Sequence, residues 1–205
     1  MHYPIYIQKS QSEECCTMKK RCWWLEEDPM YVAYHDEEWG VPVHDERLLF
    51  EFLCLEGQQA GLSWITVLKK RDHYRKCFKN FDIDKVARMT DKTIEKLLLD
   101  KGLIRNRLKL YSIRGNAHAF KKVQKEFGTF DSYIWSFTGG MILDGKRKTA
   151  KDVPATTDIS DAMAKDLKKR DFKFIGSTIC YALMQAAGLI NDHTSNCFRY
   201  KELKN

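Results

Sequence analysis

The sequence predicts an all-α protein. Apolar residues recur at helical spacing along most of the chain, Ser, Thr and Asp stand where such runs begin, and glycines stand where they end.

Taken in order, Asp45 is positioned to cap a helix that carries Leu48, Leu49, Phe52, Leu53 and Leu55 and ends near Gly57. Ser63 is expected to cap the next, with Trp64, Val67, Leu68, Tyr74 and Phe78 near one face. Asp82 or Asp84 opens a short piece through Val86 and Met89. Thr90 caps a helix with Ile94, Leu97 and Leu98, which Gly102 interrupts. A longer helix follows from about Asn106 to Phe127, and Gly128 stops it. Ser132 to Phe137 forms a short segment carrying Trp135, with Asp131 as its cap. The stretch from Gly139 to Pro154 is the least helical, and Asp144-Gly145 marks a turn in it. Ser160 is read as the cap of a helix through Lys169. The last strong helix runs from about Ser177 to Ala187 and closes at Gly188. Residues 1–18 lack periodicity and are expected to form a flexible tail. There is no internal repeat and no low-complexity segment.

Composition narrows the class only slightly. The 205 residues suit one domain, or two small lobes sharing a core, and 43% apolar with 31% charged residues is ordinary for a soluble globular chain. No apolar run approaches the ~18 residues of a membrane span. The N-terminus lacks the basic-then-apolar pattern of a secretory signal, so a cytoplasmic location is expected. A net charge of +7 is compatible with nucleic acid without demanding it. Basic clusters at Lys69-Lys70-Arg71, Arg105-Asn106-Arg107 and Lys168-Lys169-Arg170 read individually as solvated helix faces.

Seven cysteines, an odd number, argue against a disulfide framework. Cys54 and Cys180 lie in apolar runs and read as small buried residues. Cys22, His35, His193 and Cys197 could fill a closed tetrahedral zinc shell of the structural kind. Their spacing is not that of a standard finger. From spacing alone, four separate buried or surface residues is the better reading.

Two further segments carry chemistry. From Leu97 to Arg107 an apolar helix breaks at Gly102 and a basic helix follows. That could be a helix-hairpin-helix aiming backbone amides at a phosphate, with Arg105 and Arg107 adding charge. A plain helix–helix corner is commoner. In Leu55-Glu56-Gly57-Gln58-Gln59-Ala60-Gly61-Leu62-Ser63-Trp64, a carboxylate closes an apolar helix, and glycines and glutamines suited to close approach follow. Tyr31, Tyr34, Trp39 and Trp24 supply aromatic surface upstream. Aromatic faces around one acidic acceptor suit a flipped purine; an aromatic core with a surface glutamate is the alternative.

These residues, with Tyr34-His35-Asp36-Glu37-Glu38-Trp39-Gly40-Val41-Pro42, Lys168-Lys169-Arg170, Phe172-Lys173-Phe174 and Asn191-Asp192-His193, closely resemble the DNA-3-methyladenine glycosylase I family. The resemblance runs in family order from about Lys19 to about Cys197. It implies a helix-hairpin-helix glycosylase fold with a zinc-binding lobe uniting the N- and C-terminal regions: a helical lobe of about 45–155 and a zinc lobe built from about 19–44 and 156–200. It implies that Cys22, His35, His193 and Cys197 hold one structural Zn²⁺, which reverses the reading from spacing. It implies Glu56 as the catalytic carboxylate and Tyr34, Trp64, Trp24, Trp39 and Tyr31 around the base. Gln59, Gly61 and Leu62 would enter the DNA, while Gly102, Arg105 and Arg107 would touch its backbone. The partners implied are alkylated double-stranded DNA and free 3-methyladenine as product, with no membrane and a monomeric protein.

Two departures stand out. The tail before Lys19, with Cys15 and Cys16, has no family counterpart, and Asp171 stands where a glycine is expected. The hairpin's C-terminal arm offers no lysine suited to Schiff-base chemistry, so strand cleavage is not expected. The rivals are a DNA clamp without chemistry, a glycosylase-lyase, and a zinc-stabilised interaction module.

Overall fold

Most helices begin where a short polar side chain takes up free amides of the first turn. The computed structural model describes residues 19–204, so the expected tail and Cys15 and Cys16 lie outside the described residues. Asp28 accepts from Met30 N (3.0 Å) and opens α1 (Pro29–Ala33), which continues into a π-helical turn, Tyr34–Glu38. Asp45 accepts from Leu48 N (2.8 Å) at the start of α2 (Glu46–Gln59). α3 (Trp64–Leu68) and α4 (Arg71–Cys77) follow, then α5 (Ile83–Ala87) capped by Asp82 and α6 (Asp91–Leu97) capped by Thr90. Asn106 caps the longest helix, α7 (Arg107–Phe127), and α8 (Phe130–Ser136) packs beside it. α9 (Asp158–Lys169), α10 (Ser177–Ala186) and α11 (Phe198–Glu202) complete the helices.

The described residues are mostly helical, with one exception among them that no periodicity announced. β1 (Leu143–Asp144) and β2 (Ile190–Asn191) pair in parallel, Leu143 opposite Ile190 and Asp144 opposite Asn191. Two-residue strands are too short to show alternation. They tie the irregular 139–154 stretch to the C-terminal segment.

Several boundaries differ from the sequence expectation for identifiable reasons. α2 runs through Gly57 to Gln59 because Gly57 is a packing residue, not a stop: a Cβ there would lie 3.3 Å from Phe174. The helix expected after Ser63 is two helices with a break at Lys69-Lys70, where Lys70 Nζ donates to the carbonyls of Lys101 (3.1 Å) and Gly102 (3.2 Å). Asp131 does not cap α8. Thr129 does, accepting from Ser132 N (3.0 Å), while Glu46 of α2 accepts from Asp131 N (2.7 Å); the Asp131 carboxylate faces His44 Nδ1 at 2.8 Å instead. Likewise Thr157, not Ser160, caps α9, and Ser160 completes the reciprocal pair by accepting from Thr157 N (2.8 Å). Asp171, in the place of an expected glycine, adopts φ 70° in the left-handed region and holds Lys122 Nζ at 3.0 Å.

α2 is the hub. From Leu49 to Gln58 every residue is buried, against α7, α8, α10 and α3. A helix covered on all sides must bury its polar residues too, so Glu51, Glu56 and Gln58 lie inside the protein. The N- and C-terminal segments meet beside it. Phe198 N donates to Lys20 O (2.9 Å), Val43 N donates to Ala187 O (3.0 Å), and Arg147 Nε bonds buried Asp192 (2.8 Å).

Candidate base pocket and metal centre

Two glutamates on α2 show what burial demands. Glu51 is matched by cations: Arg75 Nη2 at 2.7 Å and Arg47 Nη1 at 3.0 Å. Glu56, five residues on and 2% exposed, has no cation beside it among the described residues, and its Oε2 finds no hydrogen-bond partner among them. Burial alone pushes its pKa up to about 8. A carboxyl group without compensation is costly in a protein interior, so this position is tuned for something other than stability.

Glu56 opens onto a cavity of about 220 Å³ walled by aromatic rings: Trp24, Tyr31, Tyr34, Trp39 and Trp64. Tyr34 and Trp64 are 5.4 Å apart between centroids, Trp24 and Tyr31 5.0 Å, and Trp24 and Trp39 5.0 Å. The indole nitrogens of Trp24 and Trp64 are buried without partners among the described residues, as is Glu56 Oε2. Three polar atoms needing partners thus belong to residues lining one aromatic cavity, which is the profile of a recognition site. Four lining residues, Trp23, Val153, Ala182 and Gln185, lack a sequence signal of comparable strength. Trp23 sits beside Trp24 in an aperiodic segment. Gln185 is the polar residue in the apolar stretch Ala182 to Ala187; a lone amide on such a helix was the available clue.

Gln59 lines the same cavity, and the turn beyond it leads outward. Gly61 takes φ 77°, with open space where a side chain would stand, and Leu62 is 42% exposed at the tip. Farther along, the 98–106 loop joins α6 to α7. Its Gly102 packs so closely on His73 that a Cβ would come within 2.4 Å of the ring. Arg105 and Arg107 are exposed; Arg107 pairs with Glu95 at 2.6 Å.

Behind the aromatic wall, buried Cys22, His35, His193 and Cys197 converge. Cys22 Sγ lies 3.4 Å from His193 Nδ1, and Cys197 Sγ lies 3.5 Å from both His193 Nδ1 and His35 Nε2. With Zn–S about 2.3 Å and Zn–N about 2.05 Å, a tetrahedral site places sulfur and nitrogen roughly 3.6 Å apart. The outer nitrogens are engaged elsewhere: His35 Nδ1 is 2.7 Å from Asp36 Oδ1, and His193 Nε2 is 3.1 Å from Trp39 O. Each imidazole can donate outward and keep an unprotonated nitrogen facing the thiols, the arrangement that metal-binding histidines use. The donor set and spacing fit a closed tetrahedral ion. Spacing along the chain pointed the other way because the pairs 22/35 and 193/197 meet only in the fold.

The geometry can be set beside known proteins. The methyladenine glycosylase family matches residues 24–200. DNA-3-methyladenine glycosylase 1 of Escherichia coli (strain K12) is 51% identical over 181 residues, covering 88% of this chain and 97% of that one. A crystal structure of 3-methyladenine DNA glycosylase I aligns with a TM-score of 0.86 at 51% identity, over 87% of this chain and 98% of the other. A variant of 3-methyladenine DNA glycosylase I solved in complex with 3-methyladenine aligns at a TM-score of 0.85 and 36% identity, over 87% and 96% of the two chains. The family match spans Glu56 and the aromatic residues around it from Trp24 on, the 59–62 turn and the 98–106 loop, and the chain belongs to the methyladenine glycosylase family.

Proposed function

We propose that this protein is a monofunctional base-excision repair glycosylase that flips 3-methyladenine out of alkylated double-stranded DNA and hydrolyses its glycosidic bond. The observation that carries the proposal is Glu56: a buried, unpaired carboxyl group in an aromatic cavity, suited to a flat cation. Alkylation at N3 makes adenine such a cation while it is still attached to the sugar. The damaged base leaves as a neutral molecule, so little leaving-group activation is required. Glu56 accepts from the amino edge of the base and, once ionised, favours the positive charge shared by base and sugar as the bond breaks. Tyr34 and Trp64 stack on the electron-poor ring, with Trp24, Trp39 and Tyr31 closing the cavity; such cation–π contacts contribute about 2 kcal/mol when desolvated.

DNA would be held by a helix-hairpin-helix built from α6, the 98–106 loop and α7, where Gly102 lets the loop close on His73 and Arg105 and Arg107 add charge. Gln59, Gly61 and Leu62 would occupy the space the base leaves. Cys22, His35, His193 and Cys197 would hold one Zn²⁺, which supplies cross-linking of the two ends of the chain and no chemistry at the base. In this reading the helical lobe spans about 45–155, the zinc lobe comes from about 19–44 and 156–200, and the protein acts as a monomer in the cytoplasm. Among the described residues no helix is long and apolar enough to cross a membrane.

The test is incubation with methylated duplex DNA and chromatography for free 3-methyladenine. Release of the base supports the proposal; a protein that binds without releasing base would be a clamp. A borohydride-trapped adduct with abasic DNA would instead indicate lyase chemistry. Leu62→Ala is expected to lower excision from duplex roughly 10-fold while changing it less than 2-fold on single-stranded substrate, because stacked and paired neighbours are what a wedge displaces, at a few kcal/mol. Equal losses on both substrates would take Leu62 out of the flipping step.

A further inference from the structure

Lys109 is a cation that the pocket chemistry does not use. It stands in the first turn of α7, is 6% exposed, and its Nζ donates to Gln58 O (2.7 Å) and Ala60 O (2.7 Å). Among the described residues, no carboxylate forms an ion pair with it. A buried ammonium without an anion is expensive, and burial lowers its pKa. What compensates it is the carbonyl-rich, negative end of α2.

That end is the part of the protein that proposed flipping requires. Gln58 is the penultimate residue of α2, two after Glu56, and Ala60 begins the turn that carries Gly61 and Leu62. The link is reciprocal. Gln58 Nε2 donates to Lys109 O (3.0 Å), Tyr74 OH donates to Gln58 Oε1 (3.1 Å), and Ile104 N of the hairpin loop donates to Tyr74 OH (3.1 Å). A continuous set of hydrogen bonds therefore runs from the hairpin through Tyr74, Gln58 and Lys109 to the 59–62 turn. Asn106, the α7 cap, accepts from Lys109 N (3.1 Å) and holds the first turn from which the side chain projects.

We infer that Lys109 is a positioning residue that fixes the 59–62 turn relative to the hairpin, so that DNA gripped by one is opened by the other in a constant register. The inference rests on the flipping role proposed above for that turn. It differs from a packing role in which reactions it affects: free base in the pocket needs Glu56 and the aromatic rings, whereas duplex substrate also needs the turn in place.

Lys109→Met keeps the apolar stem and removes the donors. Excision from methylated duplex should fall about 10- to 100-fold, the loss that a misplacement near 1 Å produces. The affinity of free 3-methyladenine, followed by quenching of tryptophan fluorescence, should stay within 2-fold of the parent. Lys109→Gln, which retains an amide donor, should fall between the two and provides the same comparison if Lys109→Met does not fold. Adding Leu62→Ala to Lys109→Met should cost less than Leu62→Ala costs in the parent, because the turn is already out of place. Parallel loss of duplex excision and free-base affinity would reduce Lys109 to a packing residue, and unchanged duplex excision or strict additivity with Leu62→Ala would also overturn the inference. A parent protein that releases no 3-methyladenine would instead defeat the proposed function, leaving the contact itself intact.

Discussion

Glu56→Gln is expected to lower 3-methyladenine excision at least 100-fold and, at alkaline pH, to make the protein more stable than its parent. The amide fills the same space and still accepts a hydrogen bond, but it offers no negative charge to a cationic base or to the sugar as the bond breaks; losing such an electrostatic group commonly costs on the order of 100- to 1,000-fold in rate. The stability gain follows from the raised pKa, about 8 against 4.5 for an unperturbed glutamate. Below pH 4.5 the carboxyl is neutral whether the chain is folded or not. Between 4.5 and 8 the unfolded chain ionises while the folded one keeps its proton, so the native state loses stability at up to about 1.4 kcal/mol per pH unit. Above 8 both states are ionised and the penalty is constant. Glutamine does not titrate. Thermal unfolding of variant and parent should therefore agree below about pH 4, diverge in favour of the variant up to pH 8, and then run parallel.

In the proposed mechanism the same proton governs activity. At neutral pH the empty pocket holds Glu56 mostly protonated, and a cationic base favours the ionised form. kcat/KM of the parent should rise with pH to a plateau above about 8, and residual activity of Glu56→Gln should lack that rise. Excision that survives the substitution, or a stability gap that ignores pH, would remove Glu56 from the centre of the mechanism.

What could be read from the sequence divides by range. Asp45 and Thr90 were legible as caps because the amide each satisfies lies three residues away. Asp131 and Ser160 were misassigned for the complementary reason. Asp131 has a distant partner, and Glu46, from another helix, holds its amide, while Ser160 answers a cap that stands before it. The two short strands escaped notice because two residues carry no period. The residues of the pocket were nameable through the resemblance, yet the property that distinguishes Glu56 was not. Glu51 has Arg47 one turn before it in the same helix and Arg75 reaching it from α4, whereas only the fold shows that Glu56 is left as a waiting carboxyl. Lys109 shows the same limit. The sequence offered no lysine after the 98–106 loop suited to Schiff-base chemistry, and it takes the fold to reveal the carbonyls of Gln58, in α2, and Ala60, just beyond it, at the tip of Lys109.

Removing the proposed metal should be nearly as damaging to function as removing Glu56, by a different route. Cys22→Ser or Cys197→Ser should yield protein with less than one zinc per chain, while Cys77→Ser, outside the cluster, should retain one. Two free thiols and two imidazoles buried together have few ways to satisfy one another, and structural zinc contributes folding free energy outright. A loss of about 5 kcal/mol would lower Tm by roughly 10–20 °C in a chain of this size. The pocket should be lost with the lobe, because its walls are the cluster's neighbours. Tyr34 precedes His35 in the chain, Trp39 packs on the His193 ring at 4.5 Å and accepts from it through its carbonyl, and Trp24 packs at 5.3 Å from His35. Free 3-methyladenine should therefore bind Cys22→Ser at least 10-fold more weakly, although no cluster residue lines the cavity. Zinc content measured by atomic absorption, unfolding curves and free-base affinity together decide the matter. Metal-free protein that binds the base normally would show that the aromatic wall stands without the cluster behind it.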